Sequence, residues 1–65
     1  MSYFDYESTA REAGISENDL SAIREAMRAD FPEDEMMWEL HVLRACMAVR
    51  DGRLTIEQAV GRKAA

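Results

Sequence analysis

The chain has 65 residues and a formal net charge of −5, with 48% hydrophobic residues, one cysteine and one histidine. A domain this small buries only about 60% of its unfolded surface, so it usually depends on a disulfide, a metal or a second chain. One cysteine excludes an internal disulfide, and the acidic balance argues against nucleic acid and anionic membranes as partners. We therefore predict one domain over residues 1–65 that is stabilised by self-association or by a protein partner.

Two helices are predicted in the first half of the chain. Asp5 is a plausible N-cap for a short helix over residues 6–13, and Gly14 supplies a stop. Ser16 is the N-cap of a second helix over residues 17–30.

Two further helices are predicted in the second half. The longest helix covers residues 33–51, with Pro32 in its first turn and Gly52 beyond its end. Thr55 then begins a short helix over residues 55–62 with a capping box. No segment alternates with period two for long enough to form a strand. The predicted fold is all-α: a small helical bundle whose second and third helices form a central antiparallel hairpin, braced by two short helices.

The long helix has two apolar sectors at about 100° per residue. The first sector contains Met36, Leu40, Leu43 and Met47. The second sector contains Trp38, Val42, Ala45, Cys46 and Val49. We expect the second helix to cover the first sector and the short helices to leave the second sector partly exposed. An exposed apolar patch usually marks an interface. The predicted protein interface consists of Trp38, Val42, Val49, Met37 and Cys46, with Trp38 as its anchor because tryptophan is enriched at binding hot spots.

Acidic residues surround the start of the long helix. They are Asp30, Glu33, Asp34, Glu35 and Glu39. Negative charge at a helix N-terminus complements the helix dipole. The same residues are also predicted to form an acidic patch that docks a basic partner.

Residues 9–23 contain a small residue, a glycine turn and three spaced apolar residues. These are Ala10, Gly14, Ile15, Leu20 and Ile23. The pattern resembles the helix-turn-helix unit of bacterial DNA-binding proteins, and this resemblance implies a DNA-binding regulator. The exposed face of the second helix mixes both signs of charge, whereas phosphate contacts require lysine and arginine. DNA binding therefore stays as an alternative.

The sequence carries no pattern typical of catalysis. It has no glycine-rich phosphate loop, no nucleophile beside a base and no cluster of metal ligands. We expect His41 to be exposed and Cys46 to be a small buried apolar residue. The prediction is a protein that is not an enzyme and that uses no cofactor, metal or small-molecule substrate. With no apolar run of membrane-spanning length and no signal-peptide pattern, a cytoplasmic location is expected.

These features predict a small acidic protein–protein interaction module: an adaptor, an inhibitor or regulator of a larger protein, or a small subunit of an assembly. Self-association as a homodimer is expected. The alternatives are a helix-turn-helix DNA-binding regulator and a purely structural oligomeric scaffold.

Overall fold

The computed structural model describes residues 3–61, and within this range the regular structure is entirely helical. The elements are α1 (Tyr6–Glu12), α2 (Glu17–Asp30), α3 (Glu35–Arg50) and α4 (Ile56–Ala59). The longest helix, α3, contacts each of the other three. The predicted all-α fold, a small helical bundle, is confirmed.

Side-chain caps fix the helix starts that the sequence predicted. The Asp5 carboxylate accepts a hydrogen bond from the backbone N–H of Ser8 at 3.2 Å, and the Ser16 hydroxyl accepts one from the third residue of α2 at 3.1 Å. At α4, Thr55 and Gln58 form the reciprocal capping box, with bonds of 2.9 and 3.1 Å. Each cap satisfies an N–H group that has no partner within its own helix.

The long helix begins two residues later than predicted. We placed its start at residue 33, but Asp34 is the N-cap, and its side chain accepts from the backbone N–H of Met37 at 3.1 Å. Pro32 therefore lies in the turn before α3 rather than in its first turn. An aspartate cap is favoured here because its carboxylate both accepts the hydrogen bond and faces the positive end of the helix dipole.

Two glycines end their helices in the left-handed conformation. Gly14 has φ +72° and Gly52 has φ +77°. After α1, the N–H of Ile15 reaches the carbonyl of Ala10 at 2.9 Å, which is the 6→1 bond of a Schellman motif. The same 6→1 bond follows α3. α4 ends at Ala59, earlier than the predicted 55–62, and residue 62 lies outside the described range.

The core lies between α3 and the helices around it. The buried apolar residues are Tyr6, Ala10, Ile15, Ile23, Trp38, Val42, Ala45, Cys46 and Ala59. α1 makes more extensive contact with α3 than α2 does, so it contributes to the core as a full member. The small Ala10, only 2% exposed, lets α1 approach α3 closely.

The helix-turn-helix resemblance does not extend to how α1 and α2 are arranged. In the described part of the chain, each of them packs mainly on α3, and they make little contact with one another. Ala10 and Ile23, which the resemblance assigns to contact between the two helices, instead belong to the core shared with α3.

Candidate functional site

The predicted interface sector is the core of the molecule. Trp38 is 6% exposed, and Val42 and Cys46 are fully buried. Met37 and Val49 are partly exposed. The expectation that the outer helices leave this sector partly exposed is wrong for Trp38, Val42 and Cys46, because α1 contributes Tyr6 and Ala10 to the core and α4 contributes Ala59.

Trp38 is enclosed on several sides. The Tyr6 and Trp38 rings meet in a T-shaped arrangement with centroids 6.2 Å apart at 71°, and the guanidinium of Arg28 lies 3.7 Å from the Trp38 ring centroid. Its indole N–H donates to the backbone carbonyl of Arg24 at 2.9 Å. The Arg24 guanidinium also lies 5.6 Å from the indole ring. Burial raises the pKa of Tyr6, in keeping with its place in this cluster.

Glu39 does not belong to the exposed acidic patch. It is 4% exposed, and its Oε1 accepts hydrogen bonds from the backbone N–H groups of Tyr3 at 2.9 Å and Phe4 at 3.1 Å. A buried carboxylate is tolerated when such donors satisfy it. Glu39 therefore holds the N-terminal segment against α3. Its membership of the acidic patch was a wrong prediction, since its helical position turns it towards that segment.

The other four acidic residues are exposed and form what we call the acidic corner. They are Asp30, Glu33, Asp34 and Glu35. Two of them have local roles. Asp34 caps α3, and Glu35 pairs with Arg28 through two bonds of 3.1 and 3.3 Å.

The first apolar sector of α3 is only partly covered, with Met36 as its exposed member, and we call it the Met–Leu stripe. It consists of Met36, Leu40, Leu43 and Met47. Met36 is 49% exposed, and the other three are partly exposed, although Leu43 also packs against the core. The prediction that α2 buries this stripe is wrong. α2 instead directs Ile23, which has no exposed surface, into the core.

Residue size is the signal that would have assigned the two sectors correctly. Ala45 and Cys46 are small, and they lie in the Trp38 sector. Small residues let neighbouring helices approach closely, so the sector that contains them suits α1 and its Ala10. The bulkier Met–Leu stripe has no residue of this size, so it offers no comparable place for close helix packing.

The single histidine and the single cysteine of the chain, His41 and Cys46, both lie on α3. His41 is partly buried, not exposed as predicted, because its ring stacks on Phe31 at 4.4 Å and its Nδ1 lies 2.9 Å from the carbonyl of Met37. Cys46 is buried as predicted, and this burial raises the pKa of its thiol. Over residues 3–61, no group of three or more potential ligands is placed to hold a metal ion.

An open cleft lies beside the indole of Trp38. Its lining consists of Ser21, Arg24, Glu25, Arg28 and Trp38. Arg28 pairs with Glu35 and lies over the indole ring, and the Glu25 carboxylate also lines the cleft. The positive charge of the two arginines in the lining is therefore partly balanced by acidic side chains.

No helix in residues 3–61 combines the length and the apolar character needed to cross a bilayer. Comparison with protein-family models, with curated proteins and with solved structures finds no match to this chain.

Proposed function

We propose that the chain is a small protein–protein interaction module that binds its partner through the Met–Leu stripe of α3. The observation that carries the proposal is the 49% exposure of Met36 on a helix whose opposite side forms the core. An apolar stripe on the longest helix of a small domain is a typical binding face.

The side chains of the stripe support a recognition role. Methionine is unbranched and polarisable, so it adapts to the shape of a partner. Leu40 and Leu43 supply fixed apolar shape between Met36 and Met47. Covering the four side chains would also stabilise the domain, because only the folded chain presents them on one face.

Charged groups border the stripe at both ends. The acidic corner lies at the N-terminal end of α3, while Arg44 and Arg50 lie in its C-terminal half. Interfaces commonly have this composition, with an apolar centre and a polar rim. The rim charges would set the orientation of the partner more than the affinity.

Site-specific photo-crosslinking in the native host tests the proposal. A photoreactive amino acid replaces Met36 or Met47 on the stripe, or Glu57 on the exposed side of α4 as a matched control. We expect a discrete protein adduct from the two stripe positions that is absent from the control. Equal adducts from all three positions, or none from the stripe, would contradict the proposed function.

A second variant tests whether the crosslinked adduct depends on the Met–Leu stripe. Met36→Glu places a charge on the stripe at its most exposed residue, so the fold should survive while binding is lost. We expect circular dichroism and melting temperature close to wild type, together with loss of the Met47 adduct.

The alternative of DNA binding draws less support. Apart from Arg24 and Arg28, the exposed face of α2 presents the acidic Glu17 and Glu25. Arg28 also pairs with Glu35, which reduces the positive charge that phosphate binding requires.

A further inference from the structure

We infer that the partner of the Met–Leu stripe is a second copy of this chain, with the two α3 helices antiparallel across a twofold axis. This inference rests on the proposed function, because it names the occupant of the same face. It is carried by the register of the stripe and by the charges at its two ends.

The stripe reads the same in both directions. Met36, Leu40, Leu43 and Met47 follow at intervals of four, three and four residues, with methionine at both ends and leucine in the middle. An antiparallel copy turned about the midpoint between the two leucines places Met36 against the partner's Met47. It also places Leu40 against the partner's Leu43. Such a self-complementary surface is what a twofold dimer interface requires.

The charged residues beyond the two ends of the stripe are also symmetric in sequence about the midpoint between Leu40 and Leu43. Glu33 is as far before it as Arg50 is after it, and Asp30 and Arg53 are likewise equidistant. Asp30 ends α2, Glu33 lies in the turn before α3, and Arg53 follows Gly52, so the structure sets which end of α3 each charge lies near. In the antiparallel dimer, the end of α3 that carries Glu33 lies beside the end of the partner's α3 that carries Arg50. A parallel arrangement would bring the two acidic corners together, whereas at the other end Asp51 lies 3.2 Å from Arg50 and 3.6 Å from Arg53 within each copy. Like charges at an interface disfavour the arrangement that contains them, so the antiparallel orientation is selected.

The groups that this pairing needs are accessible. Asp30 and Glu33 are exposed, and the side chains of Arg50 and Arg53 are 35% and 68% exposed. Arg50 lies 3.8 Å from Glu12 and 3.2 Å from Asp51, and such solvent-exposed ion pairs are weak enough to rearrange. The protomer charge of −5 opposes association, but near-physiological salt screens charges separated by more than about 8 Å.

Disulfide trapping tests the orientation. Met36→Cys and Met47→Cys are prepared separately, purified, and oxidised alone and as an equimolar mixture. In the antiparallel dimer, residue 36 of one copy lies about 16 Å along the helix axis from residue 36 of the other, too far for a disulfide. The heterodisulfide between the two variants should therefore dominate in the mixture, with little homodisulfide from either variant alone.

Two controls accompany this trapping. The wild type carries only Cys46, which is fully buried, so it reports any linkage through the native thiol. Glu57→Cys reports collisions at an exposed position away from the stripe. Homodisulfides from each stripe variant alone would indicate a parallel dimer and overturn the inference. Linkage no greater than in the Glu57→Cys control would overturn it as well.

A charge exchange followed by sedimentation equilibrium gives a second measure. Arg50→Glu should weaken self-association by about tenfold, because two pairs across the twofold axis become repulsive. Adding Glu33→Arg to the same chain should restore it. Adding Glu57→Arg instead to the Arg50→Glu chain restores the net charge to −5 without restoring the pair, so it controls for net charge and should not restore association. A monomeric wild type, or an Arg50→Glu variant that no second change rescues, would contradict the inference.

The two proposals can fail separately. If the photoreactive group at Met36 links the chain to a different protein and the wild type sediments as a monomer, the stripe is an interface but its occupant is not a second copy. If stripe positions form no specific adduct of any kind, both proposals fail.

Discussion

The indole N–H of Trp38 on α3 donates a 2.9 Å hydrogen bond to the backbone carbonyl of Arg24 on α2. This bond joins two helices across 14 residues of sequence and satisfies the one polar atom of the indole inside the protein. Trp38 therefore acts as the internal anchor between α2 and α3. The proposed binding face, the Met–Leu stripe, lies on the other side of α3.

Trp38→Phe tests this role in stability. The substitution removes the hydrogen bond and part of the ring that contacts Tyr6 and Arg28. We expect a loss of about 1–3 kcal/mol in the free energy of unfolding. Chemical denaturation measures this loss. Tyr3→Phe is the matched control because the Tyr3 side chain is 60% exposed, and it should leave stability unchanged. Equal stability of both variants would show that the indole contacts contribute little.

Substitutions of Glu39 test how strongly its carboxylate holds the N-terminal segment against α3. Glu39→Ala removes the acceptor for the N–H groups of Tyr3 and Phe4 and should cost roughly 1.5–3 kcal/mol, as charge-assisted hydrogen bonds do. Glu39→Gln keeps an acceptor oxygen, so its stability should fall between that of the alanine variant and that of the wild type. Faster amide hydrogen exchange at Tyr3 and Phe4 should accompany the loss. Glu57→Ala, at an exposed site, is the control and should change neither quantity.

The N-caps of α2 and α4 make similar contributions. Ser16→Ala and Thr55→Ala each leave one backbone N–H without its side-chain acceptor, and each should cost about 1 kcal/mol. In a domain of this size, that loss lowers the melting temperature by roughly 4–8 °C. Ser21→Ala, in an exposed position within α2, should not lower it, because alanine is the better helix former there.

The hydrogen bonds that Asp5 accepts as the N-cap of α1 should be detectable in an acid titration. The hydrogen bond from the Ser8 hydroxyl, followed by that from the Ser8 backbone N–H, lowers the pKa of Asp5 below 3.8. A lowered folded-state pKa means that the stabilisation is present above the unfolded pKa and is lost as pH falls through the folded value. The Ser8 amide resonance should therefore titrate with a midpoint below the ordinary pKa of an aspartate. Ser8→Ala should raise that midpoint, and an unchanged midpoint would show that the hydroxyl bond is not formed.

Duplex DNA provides the test of the alternative function. The chain should not retard generic duplex DNA in a gel even at about 50 mM salt, where phosphate contacts are strongest. Binding in the micromolar range with a steep salt dependence would instead favour the DNA-binding alternative. In that case Arg24→Ala should reduce the salt slope, because Arg24 is an exposed cation of α2.

The helix starts and ends of this chain could be predicted largely from its amino-acid sequence. Ser16 and Thr55 marked helix starts that the structure confirms, and Gly14 and Gly52 marked helix ends, because capping and left-handed turns depend on residues close in the chain. The start of α3 was misplaced because Pro32 and Asp34 both suit a helix N-terminus, and the hydrogen bond to Met37 decides between them.

Contacts between helices, by contrast, determine which side of α3 forms the core. Periodicity showed two apolar sectors and gave no means to rank them. The choice depended on the close approach of Ala10 from α1, and on Ile23 and the Arg24 carbonyl from α2, all distant in sequence from Trp38. The burial of Glu39 also depends on residues distant in sequence, because its hydrogen-bond donors, the N–H groups of Tyr3 and Phe4, lie 36 and 35 positions earlier. Local propensity depends on a few neighbouring residues, whereas burial depends on which helices pack together. For this reason the Met–Leu stripe could not be recognised from the sequence as the less buried side of α3.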